Sequence, residues 1–207
     1  MDKARLQFYS DGVFVIAATL LVLTFTVPIV KDGVNAELAA KLLALWPRFL
    51  IYALSFAVIG NVWRLHNAVF NGAESIDHTT ILINLGVLVL TAFIPFVTAV
   101  AGTYPTLPAA AVLYSATLLV VNVDGYWLVL HLRRIGAYGE PPPPSVEAAI
   151  RRIRHGMGIR VVGLIAAFFL PVVSYAIFLI GTLYYMLVGD IDTPKAPPNP
   201  LEAPPIS

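Results

Sequence analysis

No cysteine occurs among the 207 residues, which excludes disulfides, thiolate metal sites and cysteine nucleophiles together. Charge is scarce too: 12% of the residues are Asp, Glu, Lys or Arg while 58% are hydrophobic, too little polar surface to coat a soluble globule of this length. With a mean hydropathy of +0.81, the chain reads as an all-α integral membrane protein. Its net charge is only +1, so the uneven spread of basic residues speaks to topology and not to nucleic acid. Neither a nucleophile–base pair nor a phosphate-cradling glycine loop is present, which leaves enzyme chemistry without a footing. No small-residue cleavage site interrupts the first apolar run before Pro28, so that run is expected to stay in the membrane and not to act as a cleaved signal.

What is present is a series of apolar runs. Four are long enough to cross a hydrocarbon core of about 30 Å, at residues 12–30, 43–63, 80–102 and 107–131. A fifth stretch, Ile159 to Val188, is too long for one upright helix and carries Pro171 near its middle. We read it as a helix starting near Ser145, crossing through Ile159–Phe169, turning at Leu170-Pro171 and returning through Tyr175–Val188. That gives six transmembrane helices; a single tilted, proline-kinked helix would give five. The expected organisation is a six-helix membrane domain over residues 1–189, with a basic, proline-rich linker at 132–158, and a disordered proline-rich tail at 190–207. Pro141 to Pro144 is expected to be extended polyproline, with Ser145 capping the basic helix that follows.

Charge placement fixes an orientation. Lys3 and Arg5 precede the first run, and Arg133, Arg134, Arg151, Arg152, Arg154 and Arg160 fill or flank the segment after the fourth. Four crossings separate the two groups, so both fall on the cytoplasmic side. The uncharged connection Thr103–Pro108 falls outside. The arginine cluster is also suited to anionic lipid headgroups.

Polar residues inside apolar runs are the candidates for function, because each must find a partner, water or a headgroup. Arg5, Ser10 and Asp11 stand at the head of the first run, and Trp63 and His66, one helical turn apart, end the second at the same membrane level. These five can form a hydrogen-bonded cluster; the alternative is an interfacial tryptophan, a solvated histidine and an Asp11 that only caps its helix. On a helical wheel Ile16, Leu20, Leu23 and Val27 form one aliphatic stripe, with Thr19 about 60° to its side and Asp11 about 140° from Ile16. On pattern alone such a stripe is core packing, a lipid-facing surface or a pore face. Asp124 and Asn122 lie in the fourth run, where pairing of Asp124 with an arginine such as Arg160, or exposure to a water-filled crevice, is expected. His131 and His155 read as interfacial. Glu74, Asp77 and His78 offer three metal donors without a fourth, so no metal site is assigned. The pattern Ile94-Pro95-Phe96-Val97-Thr98 returns faintly as Leu170-Pro171-Val172-Val173-Ser174, which reads as two unrelated proline turns or kinks, or as an internal repeat of the transporter kind.

The string Arg5-Leu6-Gln7-Phe8-Tyr9-Ser10-Asp11-Gly12-Val13-Phe14, followed by Ile16-Ala17-Ala18-Thr19-Leu20-Leu21-Val22-Leu23, resembles the signature of the prokaryotic relatives of the endosomal and lysosomal potassium channel called transmembrane protein 175. Trp63 and His66 match that family's Trp-x-x-His, and Ile94-Pro95-Phe96 with Thr98 resembles its third-helix pattern. The resemblance implies a homotetrameric, potassium-selective cation channel in a prokaryotic inner membrane, six helices per subunit, with the first helix of each subunit lining the pore. It implies constriction by rings of Ile16, Leu20 and Leu23, with Thr19 beside the narrowest ring, and a polar network of Arg5, Ser10, Asp11, Trp63 and His66 at the cytoplasmic entrance. The implied partners are the chain itself, the bilayer, and permeant K+ and other monovalent cations; nucleic acid and any cofactor beyond permeant K+ are not implied. The sequence agrees in having no TVGYG-like carbonyl filter. Tyr9 departs from the signature phenylalanine, and Thr24 stands where relatives often carry an acid. A proton-coupled secondary transporter using Asp11 or Asp124, or a non-transporting scaffold, are the competing readings.

Overall fold

The computed structural model describes residues 2–31 and 34–187, and over them the chain is helical without a strand. Helix α1 spans Lys3–Leu20 and tightens into a 3₁₀ turn at Leu21–Thr24. It is followed by α2 (Asn35–Leu43), α3 (Trp46–Gly72), α4 (His78–Thr103), α5 (Pro108–Arg134), α6 (Pro144–Phe169) and α7 (Pro171–Leu187). By length and apolar composition four segments can cross a membrane: Lys3–Thr24, α3, α4 and α5. The first begins well before the apolar run at 12–30, because Asp2 caps it by accepting from the Ala4 amide at 3.4 Å. It also ends sooner, at Thr24, so Val27 lies beyond the helix and outside the stripe.

Local signals set the remaining boundaries. At α4 the Asp77 carboxylate accepts from the Thr80 amide at 2.7 Å in a reciprocal capping box. Helix α5 ends in a Schellman turn: Ala137 N–H reaches Leu132 O at 3.0 Å and Gly136 N–H reaches Arg133 O at 3.1 Å. Gly136 supplies the left-handed conformation the turn needs, at φ 71°. Helix α6 begins at Pro144, whose missing amide suits a first-turn position, so Ser145 sits inside the first turn instead of capping it. Helix α2 was not foreseen. It buries no residue, and an Lys41–Glu37 ion pair at 2.6 Å steadies it.

The two proline patterns behave differently. Pro95 is absorbed within an unbroken α4, whereas Leu170, at φ −136° and ψ 70°, ends α6 outright. Chain reversal follows there, because a Cβ on Gly163 would meet Phe178 and one on Gly181 would meet Ile159, a pairing that only antiparallel helices make. A single kinked helix through this stretch is thereby excluded. The tail at 190–207 lies outside the described residues.

In the bundle, α1 packs on α3 and α4, α4 on α5, and α5 on α6, while α7 closes against α6 and α3. Lys3 Nζ caps the end of α3 through the Ala73 carbonyl at 2.6 Å. Glu74 N–H bonds Ala137 O, and Arg133 approaches Glu147 at 3.7 Å. One end of the bundle thus gathers the N-terminus, the ends of α3 and α5 and the starts of α4 and α6, along with most of the basic residues.

Candidate functional site

The buried edge of α1 carries Leu6, Ser10, Phe14 and Ala17, a spacing of three and four that turns them onto α3 and α4. Through Ser10 this edge joins a chain of polar groups. His66 Nε2 donates to Asn84 Oδ1 at 2.7 Å, Asn84 Nδ2 donates to Ser10 Oγ at 3.0 Å, and Ser10 Oγ donates to the Leu6 carbonyl at 2.8 Å. Ser10 and Asn84 are fully buried and His66 nearly so. The direction of each bond follows from the last: a carbonyl at one end forces the hydroxyl to donate, the amide to donate to it, and the imidazole to donate to the amide oxygen. The ring is also held edge-on to Phe14 at 5.2 Å and tilted on Phe70 at 4.6 Å.

Half-exposed beside this chain, Trp63 Nε1 donates to Asp11 Oδ1 at 2.8 Å. The five residues singled out in the sequence therefore divide. Asp11 with Trp63, and Ser10 with His66, are brought together on one flank of α1. Arg5 is not part of either set: it is exposed and borders a separate open groove with Tyr9, Gly12 and Ile16. Asn84, the link between Ser10 and His66, escaped the sequence reading. Its signal was there, a single amide in the apolar run Ile81–Val89.

About a quarter-turn round the helix from that edge, α1 presents Ile16, Leu20 and Leu23 at 58%, 43% and 73% exposure. Thr19 is exposed with them, its hydroxyl donating to the Ile16 carbonyl at 2.9 Å. A 3₁₀ turn eclipses residues three apart, so Leu23 stands directly over Leu20. The successive rises, four residues of α-helix and then three of 3₁₀, are both about 6 Å.

Asp124 and Arg160 do not pair. Two residues of helix separate Asn122 from Asp124, a turn of about 200°, so they face opposite sides of α5. Asn122 faces α6, where its Nδ2 lies with Arg160 against Gly156, while the Asp124 carboxylate stands beside Gly86 of α4. Arg160 Nη1 donates to the Gly156 carbonyl at 3.3 Å instead. His66, Asn122 and Arg160 line a cavity of about 40 Å³ between α3, α5 and α6. At the basic end of the bundle His131 Nε2 bonds both Asp77 oxygens, at 2.9 and 3.0 Å. The Thr80 hydroxyl, then the Thr80 amide, then His131 hold the Asp77 carboxyl well below the usual carboxylate range.

The chain has known counterparts in sequence and in fold. The sequence model of the family described as "Endosomal/lysosomal potassium channel TMEM175" matches residues 5–95, which contain both polar sets and the exposed α1 face. A potassium channel of Streptomyces collinus is 34% identical over 161 residues, 76% of this chain and 77% of the relative. A potassium channel of Chamaesiphon minutus is 31% identical over 192 residues, 90% of this chain and 94% of the relative. The crystal structure of a lysosomal potassium-selective channel TMEM175 homologue from Chamaesiphon minutus superimposes with a TM-score of 0.79 at 30% identity, covering 91% of this chain and 98% of that one. The relatives are ion channels and not enzymes, and like them this chain is a multi-pass membrane protein: it belongs to the TMEM175 family of potassium channels.

Proposed function

We propose that four copies of this chain surround a central pore lined by α1, and that the pore conducts potassium passively without a carbonyl filter. Ile16, Leu20 and Leu23 form successive aliphatic rings, with Ile16 the narrowest, and Thr19 offers a hydroxyl oxygen beside the first constriction. The observation that carries this reading is the two-sided build of α1. One edge is locked to α3 and α4 by Ser10, Phe14 and the Asn84 link, while the other leaves three bulky aliphatic side chains uncovered at regular height. A dry aliphatic ring blocks a cation, which cannot shed water where no ligand replaces it, so conduction requires the rings to widen.

In this reading Asp11, Trp63, Ser10 and His66 hold α1 at the cytoplasmic mouth without touching the ion, with Arg5 at the rim. The chain crosses an inner membrane six times, the last two through α6 and α7. From Pro144 to Phe169 α6 rises about 38 Å and from Pro171 to Leu187 α7 rises about 24 Å, so α6 overhangs its partner at the basic end. The N-terminus and residues 132–158 face the cytoplasm, in keeping with the basic residues gathered at that end.

Potassium-loaded proteoliposomes test the reading. A channel gives electrogenic K+ flux that a protonophore accelerates by compensating charge, whereas obligate exchange requires a counter-ion. Ile16→Asn should raise leak or shift the preference for K+ over Na+; unchanged currents would remove Ile16 from the constriction. A cross-linked mass of four subunits is expected.

A further inference from the structure

The outward face of α6 is divided lengthwise by chemistry. Arg151, Arg154 and His155, then Gly158, then Val162 and Ile165 are all exposed. At 100° per residue they fall within a stripe about 100° wide. Its first turn and a half is wholly basic and its last two turns are wholly apolar. Arg151 and Arg154 make no hydrogen bond or ion pair with the described residues, and Glu147, the nearest acid on α6, is turned to Arg133. Gly158 marks the changeover, and a Cβ placed there would meet nothing within 4 Å. The helix therefore offers an open notch between cation and hydrocarbon.

We propose that this stripe binds one anionic phospholipid, its phosphate on Arg151 and Arg154 with His155 beside them, and an acyl chain laid over Gly158 along Val162 and Ile165. The order of the groups argues for a lipid over a free anion. Guanidinium groups suit phosphate oxygens, and the apolar strip starts within a turn of them, running away from the basic end of the bundle as an acyl chain runs into a leaflet. The inference rests on the reading that α6 crosses the membrane. Assembly around α1 leaves the stripe outward, because α1 packs on α3 and α4 and not on α6 or α7.

Native mass spectrometry of the purified full chain, exposed to equal amounts of phosphatidylglycerol and phosphatidylcholine, tests it. Phosphatidylglycerol should be retained about tenfold over phosphatidylcholine, since two surface cations each favour an anionic lipid several-fold. Arg151→Gln with Arg154→Gln should abolish the preference, Arg151→Lys with Arg154→Lys should keep most of it, and Gly158→Trp should lower retention of both lipids with the arginines intact. Equal retention of the two lipids by the native chain, or an unaltered preference in the glutamine variant, overturns the proposal. A change of assembly mass in that variant also overturns it, by showing the stripe to be a contact between subunits. Potassium flux in pure phosphatidylcholine vesicles is read alongside: native flux without lipid preference defeats this inference alone, whereas absent flux defeats the channel reading.

Discussion

Replacing Asn84 by Leu keeps the side-chain connectivity and deletes the link between α3 and α1. In the native chain the amide accepts from His66 at 2.7 Å and donates to Ser10 at 3.0 Å, with both partners buried. The two losses are unequal. His66 keeps an N–H with no acceptor in an apolar setting, which costs about 1–3 kcal/mol. Ser10 still donates to the Leu6 carbonyl and forfeits only one accepted bond, about 0.6 kcal/mol by the average measured inside membrane proteins. A total of about 1.6–3.6 kcal/mol is expected in reversible unfolding by SDS in mixed micelles. His66→Phe removes the orphaned N–H while preserving a ring against Phe14 and Phe70, so the double variant should be less destabilised than the summed singles by about 1–2 kcal/mol. Additivity to within about 0.4 kcal/mol would refute the claim that these groups act as one chain.

Trp63→Phe should cost about 1 kcal/mol, a modest sum for a charge-assisted bond because both partners are partly exposed. Asp11→Asn should cost less, since its amide oxygen still accepts, and unequal effects of this kind in the same micelles would separate the bond from the charge. Gly163→Val would place a side chain into Phe178, whose Cζ lies 2.5 Å from a Cβ at that position; overpacking of about 1–3 kcal/mol is expected, and a neutral result would contradict the α6–α7 pairing. Asp77 is ionised in the folded chain to a lower pH than when unfolded, where its value is 3.8, so its contribution is complete above that value and drains away as pH falls toward the folded one. The stability advantage of the native chain over Asp77→Asn should accordingly narrow between pH 5 and pH 3 in thermal melts, and a gap that widened on acidification would reverse the sign of the argument.

How far the sequence disclosed the molecule depended on contrast. Ser10, Asp11, Trp63 and His66 were legible because polar groups stand out against apolar surroundings, and the turn at Leu170 because proline is costly inside a helix. Asn84 gave the same kind of signal, but with no charge and no motif it attracted no partner. The pairing of Asp124 with Arg160 failed on helical phase: Asn122 takes the α6 side of α5, and only the packing direction of α5 reveals which of the two residues it is. Helix α2 escaped for another reason: Leu38 and Leu42 stand at helical spacing against Glu37 and Lys41, but the segment has only nine residues and buries none of them.

The tight turn at Leu21–Thr24 gives the exposed face of α1 a reserve of motion. Rewinding those four residues from 3₁₀ to α geometry would shorten the segment by about 2 Å and swing Leu23 by about 60° relative to Leu20. The Thr24 hydroxyl, which donates to the Leu21 carbonyl at 2.7 Å, repeats the bond that Thr19 makes to Ile16 within α1, so it is compatible with either winding. A change confined to one turn of backbone can thus move a bulky side chain off the line of the one beneath it while the buried edge of the helix stays where it is.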